Sequence, residues 1–259
     1  MATDTSPVEA AKASGGGAGF DPMKQFEIVR LKEFNLFGLD VSFTNSALFM
    51  IIAIVLVSAV MLLGSRKAAL VPSRMQSITE LSYEFVANMV RDNAGSEGLK
   101  YFPFIFTLFM FILASNMIGM VPYTFTTTSQ IVVTFSLAAV VFIGVTVIGF
   151  IRHGIGFLGL FVPSGVPKIM LVILVPIELI SYLTRPISLS VRLFANMMAG
   201  HTMFKVFAGF VISLGIVGGW LPLGFMVALT GLEVLIAFLQ AYVFAILSCI
   251  YLNEALHLH

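Results

Sequence analysis

The sequence predicts an all-α polytopic membrane protein. About five helices would cross the membrane and one amphipathic helix would lie in the interface, with the last two helices long, strongly tilted and antiparallel. Three observations carry that prediction. Hydrophobic residues make up 59% of the 259-residue chain and charged residues 10%, a composition foreign to soluble domains. Uncharged runs long enough to cross a bilayer recur along the chain. The last third holds two apolar stretches too long for upright spans.

Residues 1–40 read as a hydrophilic leader, with AKASGGGAGF as a flexible stretch. No apolar core of the secretory type precedes the first span, and the acids of this tail argue against a transit peptide, so the residues require no processing, and trimming of the leader stays open. Residues 41–65 form the first span. Arg66, Lys67 and Arg74 follow it. Residues 72–92 place Met75, Ile78, Leu81, Phe85, Val86 and Met89 at three- and four-residue steps, with Arg74, Glu80, Glu84 and Arg91 on other faces, which predicts the interfacial helix. Residues 101–151 carry no charge and are too long for one crossing. Pro122 and the cluster Thr124, Thr126, Thr127, Thr128 and Ser129 divide them into a hairpin. Arg152, His153, Gly154 and residues 163–168 mark the next loop.

Residues 168–218 would make one helix roughly 75 Å long against a hydrocarbon core of about 30 Å, so the helix must tilt or bend. Gly215, Gly218, Gly219 and Pro222 turn the chain, and residues 221–253 return as a second long helix. Five Lys/Arg between the first span and the hairpin, joined by Arg152 and Lys168, place that side in the cytoplasm.

Arg192 is the feature that calls for a function. It lies deep in an apolar helix and cannot lose its proton. Glu178, Arg185 and Arg192 are spaced by sevens, so they share a face with Ser181, Ser188, Asn196 and Ala199. Arg185, beside Pro186, reads as a snorkelling or structural cation. Glu178 and His201 lie roughly 21 Å and 13 Å along the axis on opposite sides of Arg192. Glu178 is too distant to neutralise Arg192, so the counter-charge is expected on another chain. A carboxylate passing Arg192 would be held ionised there and would be neutral when facing lipid. That alternation, with a fixed cation barring a short circuit, makes directional proton transport.

On the last helix Glu233 and Gln240 share a face, and an antiparallel pairing would bring Glu233 to His201 as a proton relay. His257 and His259 read as solvated. Balanced charge, 14 Lys and Arg against 13 Asp and Glu, gives no nucleic-acid surface. Cys249, the only cysteine, has no internal disulfide partner and reads as a small core residue. No P-loop, dinucleotide fingerprint or metal-site spacing occurs, so no ATP site, cofactor or metal is expected. Two other readings compete. A proton-coupled secondary transporter would show internal repeats, and none is found between the halves. A non-transporting assembly subunit would leave Arg192, His201 and Glu233 without a purpose.

PIELISYLTRPISLSVRLFANMMAGHTMFKV and GLEVLIAFLQAYVFAILSCIYL closely resemble subunit a of the F-type ATP synthase. The likeness runs from Asp21 to His259 and is most specific in residues 176–205 and 231–252. It implies that Arg192 is the essential arginine separating two half-channels. It assigns Asn196, His201, Glu233 and Gln240 to the outer half-channel and Glu178 and Ser181 to the inner one, and it marks Tyr251 as a polar position, with Arg185 and Ser188 in supporting places. Many bacterial members carry the acid on the arginine helix and the histidine on the last. Here the two are exchanged, which looks like alphaproteobacterial and mitochondrial members. Acids of the first hairpin are absent around Gly119 and Tyr123, so Asn116 and the threonines are expected to line the outer channel instead. The resemblance implies a ring of c subunits carrying carboxylates, b-type stalk subunits and the rest of the F1Fo complex as partners. It implies a place in the bacterial inner membrane, or else the mitochondrial one.

Overall fold

The structure, a computed structural model, describes residues 26, 28–32, 35–36, 39–40, 42–66, 69, 71–121, 124–162 and 168–257. The glycine-rich stretch expected to be flexible, and the question of processing, lie outside these residues. Part of the supposed leader is ordered structure. Strand β1 (Arg30–Lys32) pairs antiparallel with β4 (Phe43–Thr44), and β2 (Asn35–Leu36) pairs with β3 (Leu39–Asp40). Strands this short lack the alternation over four or more residues by which a strand is read from sequence.

Helix α1 (Asn45–Ser65) begins where Thr44 Oγ1 accepts from the Ala47 amide at 3.3 Å, a side-chain cap that stops the strand and starts the helix. Only 11% of its most apolar window is buried, so its Ile, Val and Leu side chains meet the surroundings, as on a lipid-facing span.

Helix α2 (Arg74–Gly98) starts on the Ser73 cap, Oγ accepting from the Gln76 amide at 3.3 Å. Gln76 stitches the preceding loop, donating to the Ala69 carbonyl at 3.1 Å and accepting from its amide at 3.2 Å. The helix runs past the expected end at residue 92, with a non-helical break at Gly95 (φ 67°, ψ −169°). It is amphipathic, but Val86, Met89, Val90 and Ala94 are buried in the protein core while Met75, Ile78 and Leu81 stay exposed.

Helices α3 (Phe102–Gly119) and α4 (Ile131–His153) occupy the stretch read as a hairpin and are joined through a 3-10 turn at Thr127–Ser129, but their packing is against other helices of the chain and not against each other. Helix α5 (Lys168–Gly218) is continuous through Pro176 and Pro186 and breaks at Gly215 (φ 62°, ψ −161°). That conformation is open to glycine and strained for other residues, and it turns the chain into α6 (Trp220–Leu256). His201 of α5 meets Glu233 of α6, and Arg185 meets Glu254, so the two helices run antiparallel. Among the described residues, five helical segments are long and apolar enough to cross a membrane.

Helix α6 is the centre of the bundle, packed on α2, α3, α4 and α5. Ala237, Ala241 and Ala245 recur every four residues and are fully buried, which lets neighbouring backbones approach. Phe109, Ile112, Val141 and Phe244 fill the space around them. Cys249 is buried in the same core, as its apolar context predicts.

Candidate proton-relay site

Arg192 is exposed on the face of α5 turned away from the bundle. Leu189, Ser190, Leu193 and Met197 fill the opposite, buried face. Among the described residues no carboxylate lies within ion-pair distance of Arg192. Ser181, Thr184, Ser188, Ala195 and Ala199 are exposed along the same stripe, and Asn196, one turn from Arg192, is half-buried. Small side chains at three- and four-residue steps leave room for another helix to come close.

Glu178 is half-buried and has no ion-pair partner among the described residues. Ser181 contributes its carbonyl to the Thr184 hydroxyl at 2.8 Å and keeps its own side chain exposed. Arg185 takes a different course from the rest of the stripe. It pairs with Glu254 near the end of α6, and its guanidinium carbon lies 5.4 Å from the Tyr182 ring and 5.0 Å from the Tyr251 ring. The structural-cation reading of Arg185 therefore has named partners, Glu254 and two rings.

On the other side of Arg192, His201 and Glu233 meet. Nδ1 lies 3.0 Å from Glu233 Oε1. The approach is an ion-pair contact and not a directed hydrogen bond, because Oε1 is buried with no donor aligned to it among the described residues. Nδ1 faces the Met197 carbonyl at 3.0 Å, and Nε2 faces the Gly119 carbonyl at 2.8 Å. A carbonyl oxygen only accepts, so each neutral tautomer of the ring serves one of the two carbonyls and the imidazolium serves both. The Glu233 carboxyl beside the ring is only 8% exposed. A buried charge is tolerable when it is paired in this way.

Thr126 adds the group that serves the other protonation state. Its Oγ1 is 3.1 Å from His201 Nε2 and 3.2 Å from the Gly119 carbonyl. With the proton gone from Nε2, the Thr126 hydroxyl can turn from the carbonyl and donate to the ring. Phe26 presents an edge to the His201 ring at 6.4 Å, and Gln130 donates to the Phe26 carbonyl at 2.9 Å.

Asn116 is fully buried, donating to the Ala237 carbonyl at 3.2 Å and accepting from the Thr128 hydroxyl at 2.8 Å. Of the threonines, Thr126 reaches the histidine. Gln240 is half-buried on α6. It falls a third of the way from the Glu233 contact to the Glu254 contact, roughly level with the turn of Arg192 and Asn196.

Sequence reasoning missed Gly200, Thr126 as a specific partner, and Glu254. A Cβ on Gly200 would lie 2.7 Å from Glu233 Oε1, so the carboxylate occupies the space that a missing side chain leaves. The signal for Gly200 was adjacent, a glycine beside a functional histidine. For Glu254 there was none, since an acid close to a chain end reads as solvated.

The sequence profile of the ATP synthase A chain family matches residues 47–253. Among curated relatives, the ATP synthase subunit a of Pelagibacter ubique is 64% identical over 240 residues, covering 92% of this chain and 98% of the relative. The subunit of Mesorhizobium japonicum is 58% identical over 243 residues, covering 92% and 96%. That of Parvibaculum lavamentivorans is 58% identical over 253 residues, covering 95% and 97%. With the exposed arginine stripe and the His201–Glu233 contact in place, the matches converge: this chain belongs to the ATP synthase A chain family.

Proposed function

We propose that this chain is the proton-conducting stator subunit of an F-type ATP synthase in a bacterial inner membrane, with no ATP site of its own. Two offset half-channels serve the carboxylates of a c-subunit ring, and Arg192 separates them. The observation that carries this reading is the exposure of Arg192. A permanent cation stands on the outer face of an apolar helix, with no carboxylate of its own chain beside it among the described residues. The stripe of small residues around it suits close passage of a partner helix.

His201, Glu233 and Thr126 load protons on the outer side, with Asn196 and Gln240 on the way to Arg192. Glu178 and Ser181 release them on the inner side. A ring carboxylate reaching Arg192 loses its proton because the adjacent cation favours the charged form. It regains one before returning to lipid, where desolvation favours the neutral form. Arg192 repels free protons, so the two paths connect only through ring rotation. A b-type stalk and the remainder of the F1Fo complex hold the subunit still.

The test is ATP-driven proton pumping and passive proton leak in membranes carrying Arg192→Ala. Loss of coupled pumping with retained or increased leak is the expected result. Unchanged pumping makes Arg192 structural and removes the basis of the reading.

A further inference from the structure

Three positions of the α5 stripe carry formal charge at intervals of seven: Glu178, Arg185 and Arg192. Each interval is roughly 10 Å along the axis. A barrier function requires one uncompensated cation there. Two in succession would give a passing carboxylate two places to stop and would repel a proton leaving by Glu178. Arg185 is thus a liability on this stripe unless its charge is cancelled.

The structure cancels it. Glu254 of α6 pairs with the Arg185 guanidinium, whose side chain is 19% exposed. Tyr182 and Tyr251 place ring faces near the same group, and Tyr182 is fixed in turn by a 2.6 Å contact with Thr146 of α4. Thr146 donates to the Phe142 carbonyl at 2.7 Å, so the tyrosine hydroxyl is the donor to Thr146. The cation is therefore held back from the stripe by Glu254 and Tyr251 of α6 and by Tyr182 of α5, which α4 fixes in place. An arginine that only snorkelled would point to water and need no such enclosure.

We propose that Glu254 is a positioning residue of the inner proton path: by neutralising and withdrawing Arg185 it leaves Arg192 as the one uncompensated cation on the stripe. The proposal rests on the half-channel reading above and assigns a role to an acid that the reading does not use. A bare charge about 10 Å from Glu178 and from Arg192, at an effective dielectric near 20, corresponds to roughly a tenfold change in an equilibrium or a rate.

The experiment compares Glu254→Gln, Arg185→Gln and the double variant Arg185→Gln/Glu254→Gln in the full F1Fo complex in inverted membrane vesicles. Proton conductance is measured after removal of F1, and assembly is measured as the amount of this subunit in the purified complex. Glu254→Gln is expected to assemble and to lose about tenfold in conductance. The double variant is expected to return to within about twofold of the parent, because the unwanted cation is gone as well. A tether predicts the opposite, since both single changes break the contact and the double repairs nothing. A double variant as slow as Glu254→Gln therefore overturns the proposal. So does parental conductance in Glu254→Gln, and so does failure of both to assemble. Arg192→Ala, run in parallel, separates the two levels. If it pumps normally the half-channel reading fails and takes this proposal with it. If it is blocked while Glu254→Gln is unaffected, only the proposal fails.

Discussion

Gly200 and Glu233 occupy one space between them: the carboxylate oxygen stands where a side chain on residue 200 would begin, 2.7 Å from the position of a Cβ. The His201–Glu233 contact depends on that gap, because Glu233 must reach across it to lie 3.0 Å from His201 Nδ1.

Gly200→Ala is accordingly expected to push Glu233 off His201. Misplacing a catalytic group by about 1 Å can cost on the order of 10²-fold in rate, and proton conductance should fall toward that figure while the complex still assembles. Conductance at the parental level would mean that the pair is not on the route.

Thr126→Val removes the hydroxyl near His201 Nε2 and keeps the shape. A neutral ring then lacks its donor, and a hydrogen bond worth about 1 kcal/mol corresponds to roughly a fivefold slower proton transfer. Thr126→Ser should restore the rate. Equal loss in both variants would show that the methyl group, not the hydroxyl, matters.

Asn116→Ala separates a staple from a channel wall. The side chain ties α3 to the Ala237 carbonyl and to Thr128, and its loss leaves buried partners unsatisfied at about 1–3 kcal/mol each. The solubilised complex should melt at a lower temperature. A complex of unchanged stability with low conductance would restore Asn116 to the proton path.

Ala241→Leu inserts three carbons where α6 is fully buried. Overpacking costs about 1–3 kcal/mol, and the expected outcome is less subunit recovered in the assembled complex. Ile54→Leu, on the exposed face of α1, serves as the neutral comparison.

Much of this was legible in the chain. Charge-free runs and their punctuation gave the helices, since hydrocarbon admits few other backbones. The sevens of Glu178, Arg185 and Arg192, and the antiparallel return of Glu233 to His201, followed from helix geometry. Contacts made by backbone were not legible. Gly119 acts through its carbonyl, Gly200 through an absent side chain, and neither chemistry is written in a residue type. The partners of Asn116 were not legible either, because a polar residue in an apolar helix reads equally as a channel wall or as a buried tie. Only its partners decide.

The central position of α6 has a mechanical consequence. Helix α5 carries Arg192 on its free side, while Leu189, Leu193 and Met197 on its other side are buried. It is a stave braced from behind. Any sideways force applied at Arg192 passes into α4 and α6, which both pack on α5, and from α6 into α2 and α3. The alanine row at residues 237, 241 and 245 lets neighbouring backbones approach α6 closely. The bundle behind α5 is therefore placed as an abutment, able to share a load applied to the free face of α5 among four helices.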